Sequence, residues 1–328
     1  MTHPFRDVRG GLLCPQGSVA CIGAFDGLHL GHQALLRHAG ERARALGVPL
    51  VAVGFEPLPR EVFAHPPPPR LMLPGAKLAG FRQLGADATG LLRFDAQLAA
   101  MPAEAFVRTL LAERLRVREV RVGPDFRFGH KRGGDIDTLR RLGRSLGFGA
   151  DAIEPVMLDG ERVSSTRIRG ALHAGDFEAA ARMLGRPYAI GGHVVRGAQL
   201  GRTLGYPTAN LRFGGKVPAL SGIYATWVHG VGPAPWPSVS SFGTRPTVDG
   251  REPLLEAHLF DFAGDLYGRR IRVEFVARLR DEEKFDGLPA LVEQMHLDAA
   301  RARALLDRQA ILDGRAAPNP TSGSTGST

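Results

Sequence analysis

Two histidines stand three residues apart in "CIGAFDGLHLGHQALL" (21–36), where an apolar run gives way to a helical pattern. Three glycines, Gly23, Gly27 and Gly31, accompany His29 and His32. Glycine lets backbone approach a ligand closely, and a helix start favours an anion. The chemistry such a turn suits is stabilisation of charge on a phosphoryl group, above all charge growing on an α-phosphate as pyrophosphate leaves. Gly23, Phe25, Asp26, Gly27 and Gly31 are therefore read as a phosphate-holding loop, with His29 and His32 as its catalytic donors. No Gly-Lys-Ser/Thr follows, so this is not a Walker A loop, and the dinucleotide G-x-G-x-x-G pattern is absent. A metal site would need a third ligand that the chain does not offer, and helical metal sites usually space histidines four apart.

Other segments carry compatible chemistry. "GPDFRFGHKRGGD" (123–135) joins a strand end and the aromatics Phe126 and Phe128 to a basic, Gly-rich loop; Asp125 lies beside them. "VSSTRIRGAL" (163–172) presents Ser164, Ser165 and Thr166, then Arg167 and Arg169, at a helix start. Hydroxyl and guanidinium donors there suit the β- and γ-phosphates of a nucleotide, although a Ser-Ser-Thr run alone is more often an N-cap. In the second half, "GHVVRGAQLGRTLGYPTANL" (192–211) is Gly-rich and Arg-bearing, with Gly197, Gly201 and Arg202 ahead of Thr208 and Asn210. A hydroxyl and an amide oxygen are hard ligands of the kind Mg²⁺ accepts beside phosphates, yet "PTAN" on its own reads as a turn. In "LLEAHLFDFAGDLYG" (254–268) strand alternation points Glu256 and His258 the same way.

These residues need elements to place them. "SVACIGAF" (18–25) and "PLVAVGF" (49–55) read as buried strands, and "REVRVG" (118–123) as a third. Between and after them lie helical patterns at 32–47, 101–115 and 137–148, and two more within 165–185. "HPPPPR" (65–70) is a loop. Alternation of this kind predicts an α/β domain with a parallel, Rossmann-like sheet and helices on both faces. From about Arg186 the pattern turns to short strands punctuated by Gly and Pro, which predicts an antiparallel β-barrel, closed by a helix over 288–312.

Composition bounds the reading. The 328 residues are 44% hydrophobic and 23% charged, a globular balance. No run of eighteen apolar residues occurs, "MTHPFRDVRGG" lacks the apolar core of a secretory signal, and Cys14 and Cys21 are the only cysteines; a cytoplasmic protein is expected. The net charge of +9 comes mostly from arginines interleaved with acids, without a basic block or nucleic-acid motif. Neither a nucleic-acid nor a membrane partner is expected, and the oligomeric state is left open.

"GAFDGLHLGH" with "SSTRIR" resembles the nucleotidylyltransferase signature pair. With "GPDFRFG" between and "GRTLGYPTAN" after, the chain resembles the prokaryotic bifunctional riboflavin kinase/FAD synthetase (FMN adenylyltransferase) family, from about Gly17 to about Arg303. The resemblance implies an FMN adenylyltransferase domain over 1–185 and a riboflavin kinase domain over 186–312; the tail over 313–328 has too few apolar residues to fold and is expected to be disordered. It implies riboflavin, FMN, FAD and ATP as partners, with ATP the co-substrate and Mg²⁺ the cofactor. It assigns ATP phosphates to Gly197, Gly201 and Arg202, Mg²⁺ to Thr208 and Asn210, and the role of general base to Glu256. Asp125, Phe126, Phe128 and Arg280 would then meet the flavin. Asp125 and Ser241 stand where the family usually has Asn, and "FEPLP" (55–59) lacks a histidine often found there. A carboxylate near a polyphosphate calls for compensation by Mg²⁺ or an arginine, for which Arg127 is the near candidate. A transferase for another phosphate acceptor, with the barrel as a binding module, is the alternative; a flavin- or RNA-binding regulator is a third reading that only the charge favours.

Overall fold

The computed structural model describes residues 4–197, 201, 204–247 and 250–313. By packing the chain forms two compact units, one of residues 1–68 and 74–165, the other of 69–73 and 166 onward.

In the first unit, β1 (Ser18–Ile22), β2 (Leu50–Glu56), β3 (Ala88–Arg93), β4 (Val117–Val122) and β5 (Gly149–Ala152) form one parallel sheet in the order β3-β2-β1-β4-β5. The apolar runs read as β1 and β2 are buried almost throughout, as expected of strands covered on both faces. The strand order reverses at β1, so the carboxyl ends of β1 and β4 flank the crevice where open α/β sheets take their ligands. Helix α1 (Leu30–Leu46) follows β1 and ends at Gly47 in the left-handed conformation. Its buried Leu35, Leu36, Ala39 and Ala43 recur at helical spacing and face the sheet.

Helices α2 (Pro59–Phe63) and α3 (Pro74–Gln83) and the edge strands β3 and β5 were not anticipated from the sequence. A short α4 (Ala96–Ala99) precedes the helix expected over 101–115, which begins as α5 (Ala103–Phe106) and widens into π-helical turns over Val107–Arg114. The amide of Leu115 accordingly reaches back five residues to the Leu110 carbonyl, at 2.9 Å. After α6 (Ile136–Leu146), a two-residue hairpin of β6 (Met157–Leu158) and β7 (Glu161–Arg162) completes the unit.

The second unit opens with α7 (Ser165–His173) and α8 (Phe177–Leu184). The Phe177 ring stacks on Phe275 and meets Tyr224 edge-on, so by packing this segment belongs with the barrel, and the break falls between Ser165 and Thr166. The barrel consists of β8 (Ala189–His193), β9 (Ala209–Arg212), β10 (Gly222–His229), β11 (Trp236–Thr247), β12 (Gly250–Leu259) and β13 (Arg270–Arg280), ordered β8-β13-β10-β11-β12-β9 and antiparallel at every pairing. A bridge between Val195 and Asn210 joins the chain after β8 to β9 and closes the ring. The "PTAN" segment, which reads locally as a turn, therefore leads straight into a strand. Helix α9 (Leu288–Asp313) packs on the barrel through Ala299, Ala302 and Leu306 against Ala225, Trp227 and Leu279. Arg202 and residues 314–328 of the expected tail lie outside the described residues.

Candidate functional site

At the carboxyl end of β1 the chain turns sharply. Phe25, Gly27 and Leu28 all have positive φ, at 50°, 88° and 46°. Only glycine adopts such angles without strain, so Gly27 is required, while Phe25 and Leu28 are held there by their buried side chains. Phe25 packs edge-on against Phe81 and tilted against His32, which makes its ring a wedge beneath the loop rather than a ligand contact. His29 is the N-cap of α1, its Nδ1 accepting from the His32 amide at 3.4 Å, so the ring proton sits on Nε2. The imidazoles of His29 and His32 stack 3.7 Å apart, and the His32 Nδ1 is buried with no hydrogen-bond partner among the described residues. Burial first, then the charges of His29, Lys77 and Arg162, holds the His32 pKa well below the usual imidazole range. His32 is thus neutral near pH 7, a donor or acceptor rather than a cation. An ideal Cβ at Gly31 would come within 3.2 Å of the His29 ring, and one at Gly23 within 3.3 Å of Phe25, so both glycines admit close packing of the loop.

Ser165, the first residue of α7, donates its hydroxyl to the Asp26 carbonyl at 2.9 Å and so ties the "SSTRIR" segment to the loop. Ser164 precedes it. Thr166, Arg167 and Arg169 follow on α7 and group with the second unit, where Arg169 Nε donates to the Pro69 carbonyl. Beyond β4, Phe126 and Phe128 stack at 5.4 Å; Phe128 is buried in the first unit's core, and Phe126 is the more exposed of the two rings. Asp125 is compensated, but by Arg162 of β7; Arg127 instead pairs with Asp135 at 3.0 Å.

In the barrel, register assembles the second constellation. Asn210 lies opposite Glu256, Glu256 opposite Ser241, Ser241 opposite Ile223, and Ile223 opposite Arg280. One row across five strands thus carries Asn210, Glu256, Ser241, Ile223 and Arg280 on a single face. Along β12 the alternation holds: Leu255, Ala257 and Leu259 are buried, while Glu256 and His258 face a cavity of about 540 Å³. Gly201, Tyr206, Thr208, Phe285 and Asp298 also line it. A space of this size with few convergent polar groups is typical of a small-molecule site.

Arg280 is fixed before any ligand arrives. Its guanidinium grips the Asp298 carboxylate of α9 through Nε and Nη2, at 2.8–3.0 Å, and lies 5.5 Å from the Phe285 ring. Asp298, 18 residues away in sequence, gave no local signal, nor did Tyr206, whose hydroxyl meets His296 Nδ1 at 2.6 Å. His258 Nδ1 donates to the Pro207 carbonyl at 2.9 Å, and burial lowers its pKa, so it too is a neutral imidazole.

Thr208 and Asn210 fit a hard cation. Asn210 is buried; its Nδ2 donates to the Thr208 carbonyl at 3.2 Å, which leaves Oδ1 without a partner among the described residues. Gly197 crosses so close that an ideal Cβ there would sit 2.8 Å from the Asn210 amide. An orphaned, buried amide oxygen is what a bound Mg²⁺ would satisfy.

The FAD synthetase family model matches residues 13–167, and the riboflavin kinase family model matches 184–306. The chain is 45% identical to the bifunctional riboflavin kinase/FMN adenylyltransferase of Pseudomonas fluorescens over 291 residues, 88% of this chain and 93% of that one. It is 42% identical to the protein of the same description from Escherichia coli K12, over 88% and 92% of the two chains. The chain belongs to the bifunctional riboflavin kinase/FMN adenylyltransferase family. A solved structure titled a macrolide-efflux protein, from Streptococcus pneumoniae, is 31% identical with a TM-score of 0.73, covering 92% of this chain and 98% of its own. In the chain described here no helix among the described residues is long and apolar enough to cross a membrane.

Proposed function

We propose that this family member acts in the cytoplasm and runs both reactions in one chain: ATP-dependent phosphorylation of riboflavin to FMN in the barrel, then adenylylation of FMN by ATP to FAD, with release of pyrophosphate, in the α/β unit. The observation that carries the first step is the row in which Glu256, Ser241 and Arg280 face one cavity, with Asn210 directly opposite Glu256 on the neighbouring strand. Glu256 takes the proton of the ribityl 5′-hydroxyl as that oxygen attacks the γ-phosphorus of ATP. Thr208 and Asn210 would hold Mg²⁺, which when bound screens phosphate charge. Arg280, locked by Asp298, and Phe285 enclose the flavin, while Gly197 and Gly201 approach the phosphates.

In the α/β unit, FMN phosphate attacks the α-phosphorus of ATP. His29 donates from Nε2 and the neutral His32 beside it supplies a second imidazole to the charge that develops there. Gly23, Asp26, Gly27 and Gly31 shape the loop beneath the phosphates. Ser164, Ser165 and Thr166, with Arg167 and Arg169 of the same segment, receive the leaving pyrophosphate. Asp125, Phe126 and Phe128 belong to the flavin side, with Arg162 cancelling the Asp125 charge. No protein nucleophile is needed; positioning and electrostatics carry the rate. The functional division, 1–185 for adenylyl transfer and 186–312 for the kinase, differs from the packing division because α7 follows the phosphate loop in chemistry and the barrel in contacts.

The test is a time course. Riboflavin, ATP and Mg²⁺ are incubated with the protein and the flavins separated by chromatography. FMN should appear first and FAD after it; no conversion by folded protein would sink the reading.

A further inference from the structure

Three carbonyls of the phosphate loop are each held by a side chain. Lys77 Nζ donates to Ala24 at 2.8 Å, Ser165 Oγ to Asp26 at 2.9 Å and Gln33 Nε2 to Leu28 at 2.9 Å. The three oxygens alternate along the loop, at residues 24, 26 and 28, and the donors come from α3, the start of α7 and the first turn of α1. Carbonyl oxygens carry the wrong sign for an anion site. Turned toward protein donors, they are kept from a polyphosphate, and the loop is fixed in its positive-φ path.

Lys77 is the unexpected member. It sits on α3, has no exposed surface, and runs its stem past Gly54, where an ideal Cβ would touch its Cδ at 3.4 Å. An ammonium so deeply buried is costly, and such groups gather where charge is used. Its charge also acts on the adjacent His32.

We propose that Lys77 and Gln33 are positioning residues for adenylyl transfer: they turn the Ala24 and Leu28 carbonyls away from the nucleotide phosphates, and Lys77 adds a fixed positive charge beneath them. The inference rests on the reading of this unit as the FMN adenylyltransferase. Neither residue touches the reacting atoms; both act through the loop.

The test uses the full chain with FMN, ATP and Mg²⁺ supplied directly, comparing wild type with Lys77→Met and Gln33→Met. Methionine matches glutamine in length and is one atom shorter than lysine, so both replacements keep most of the apolar stem and remove the donor. Lys77→Met should lower kcat/KM for ATP by about 100-fold, the scale of one preorganised donor lost, and Gln33→Met by about tenfold. KM for FMN should stay within threefold of wild type, riboflavin phosphorylation should be unchanged, and the melting temperature of the ligand-free protein should not fall. A merely structural role would lower the melting temperature and raise both KM values together, which overturns the proposal. FAD formation by Lys77→Met within threefold of wild type overturns it as well. If Lys77→Met does not fold, Gln33→Met decides by the same readouts. Wild type that forms no FAD from FMN sinks the functional reading itself, so the two failures are distinct.

Discussion

Asn210→Leu separates stability from function at one atom. The side chain is buried, its Nδ2 donates to the Thr208 carbonyl, and its Oδ1 has no partner among the described residues. Leucine has nearly the same shape, so no cavity opens. Losing the Nδ2 bond costs about 1 kcal/mol, while removing an orphaned buried oxygen returns about 1–3 kcal/mol. The ligand-free barrel should therefore be unchanged or more stable by up to about 2 kcal/mol, a rise in melting temperature of roughly 0–8 °C for a unit of this size. Riboflavin phosphorylation should fall by about 100-fold or more, on the scale of one preorganised electrostatic contact. The extra stabilisation that Mg·ATP confers on the barrel should shrink with it. Calorimetry with a chelator present, then with Mg·ATP, followed by a phosphorylation assay, measures all three. A variant destabilised by more than about 2 kcal/mol would mean that Oδ1 is already satisfied in the free protein. Phosphorylation within tenfold of wild type would mean that Asn210 holds nothing in the reaction.

Three further outcomes follow from other parts of the molecule. His29→Ala removes the stacked N-cap imidazole and should abolish FAD formation while FMN still accumulates in the same chromatogram; loss of both activities in a folded variant would refute two independent sites. Gly27→Ala forces a Cβ onto φ of 88° and should cost about 1–2 kcal/mol, visible as a lower melting transition of the first unit with at least a tenfold loss of FAD formation. Glu119, hydrogen-bonded to Arg42 and Arg121, has its pKa drawn down to about 2 from a usual value of 4.5. The folded state thus prefers its charged form; the pair's contribution, about 1–3 kcal/mol, is complete above about pH 4.5 and is lost as pH falls toward 2. Urea midpoints at pH 6 and pH 3 should differ less in Glu119→Gln than in wild type, and an equal difference would contradict the assignment.

What could be read from the sequence is what neighbours in the chain decide. The β1–loop–α1 turn announces itself because strand, glycines, histidines and helix are contiguous, and its buried strands are continuous apolar runs. β3 escaped because "ATGLLR" is short and diluted by Thr and Gly, which an edge position tolerates. α3 escaped because "PGAKLAGFRQ" has only a weak apolar stripe, and a lysine on it reads as solvated; only packing shows Lys77 sealed beneath the phosphate loop. The compensator of Asp125 was misread for a related reason: Arg127 is two residues away in sequence, but Asp125 sits in a turn, Arg127 pairs with Asp135, and Arg162 of the β6–β7 hairpin reaches Asp125 instead.

The kinase site shows the same limit more sharply. "PTAN" and "EAHLF" are each legible as chemistry only through family resemblance, because nothing in either says that the other is adjacent. Barrel register says it: Asn210, Glu256, Ser241 and Arg280 come from four strands and meet in one row, and a slip of one residue in β12 would turn Glu256 into the core and Leu255 into the cavity. That register is fixed by the alternate burial of Leu255, Ala257 and Leu259, so the apolar face of the strand is what aims the carboxylate on its other face. The proposed catalytic geometry is therefore a by-product of core packing, and a core substitution such as Leu255→Ala should misplace Glu256 without touching it. Riboflavin phosphorylation falling further than the melting temperature explains, with FAD formation from FMN intact, is the result this argument requires.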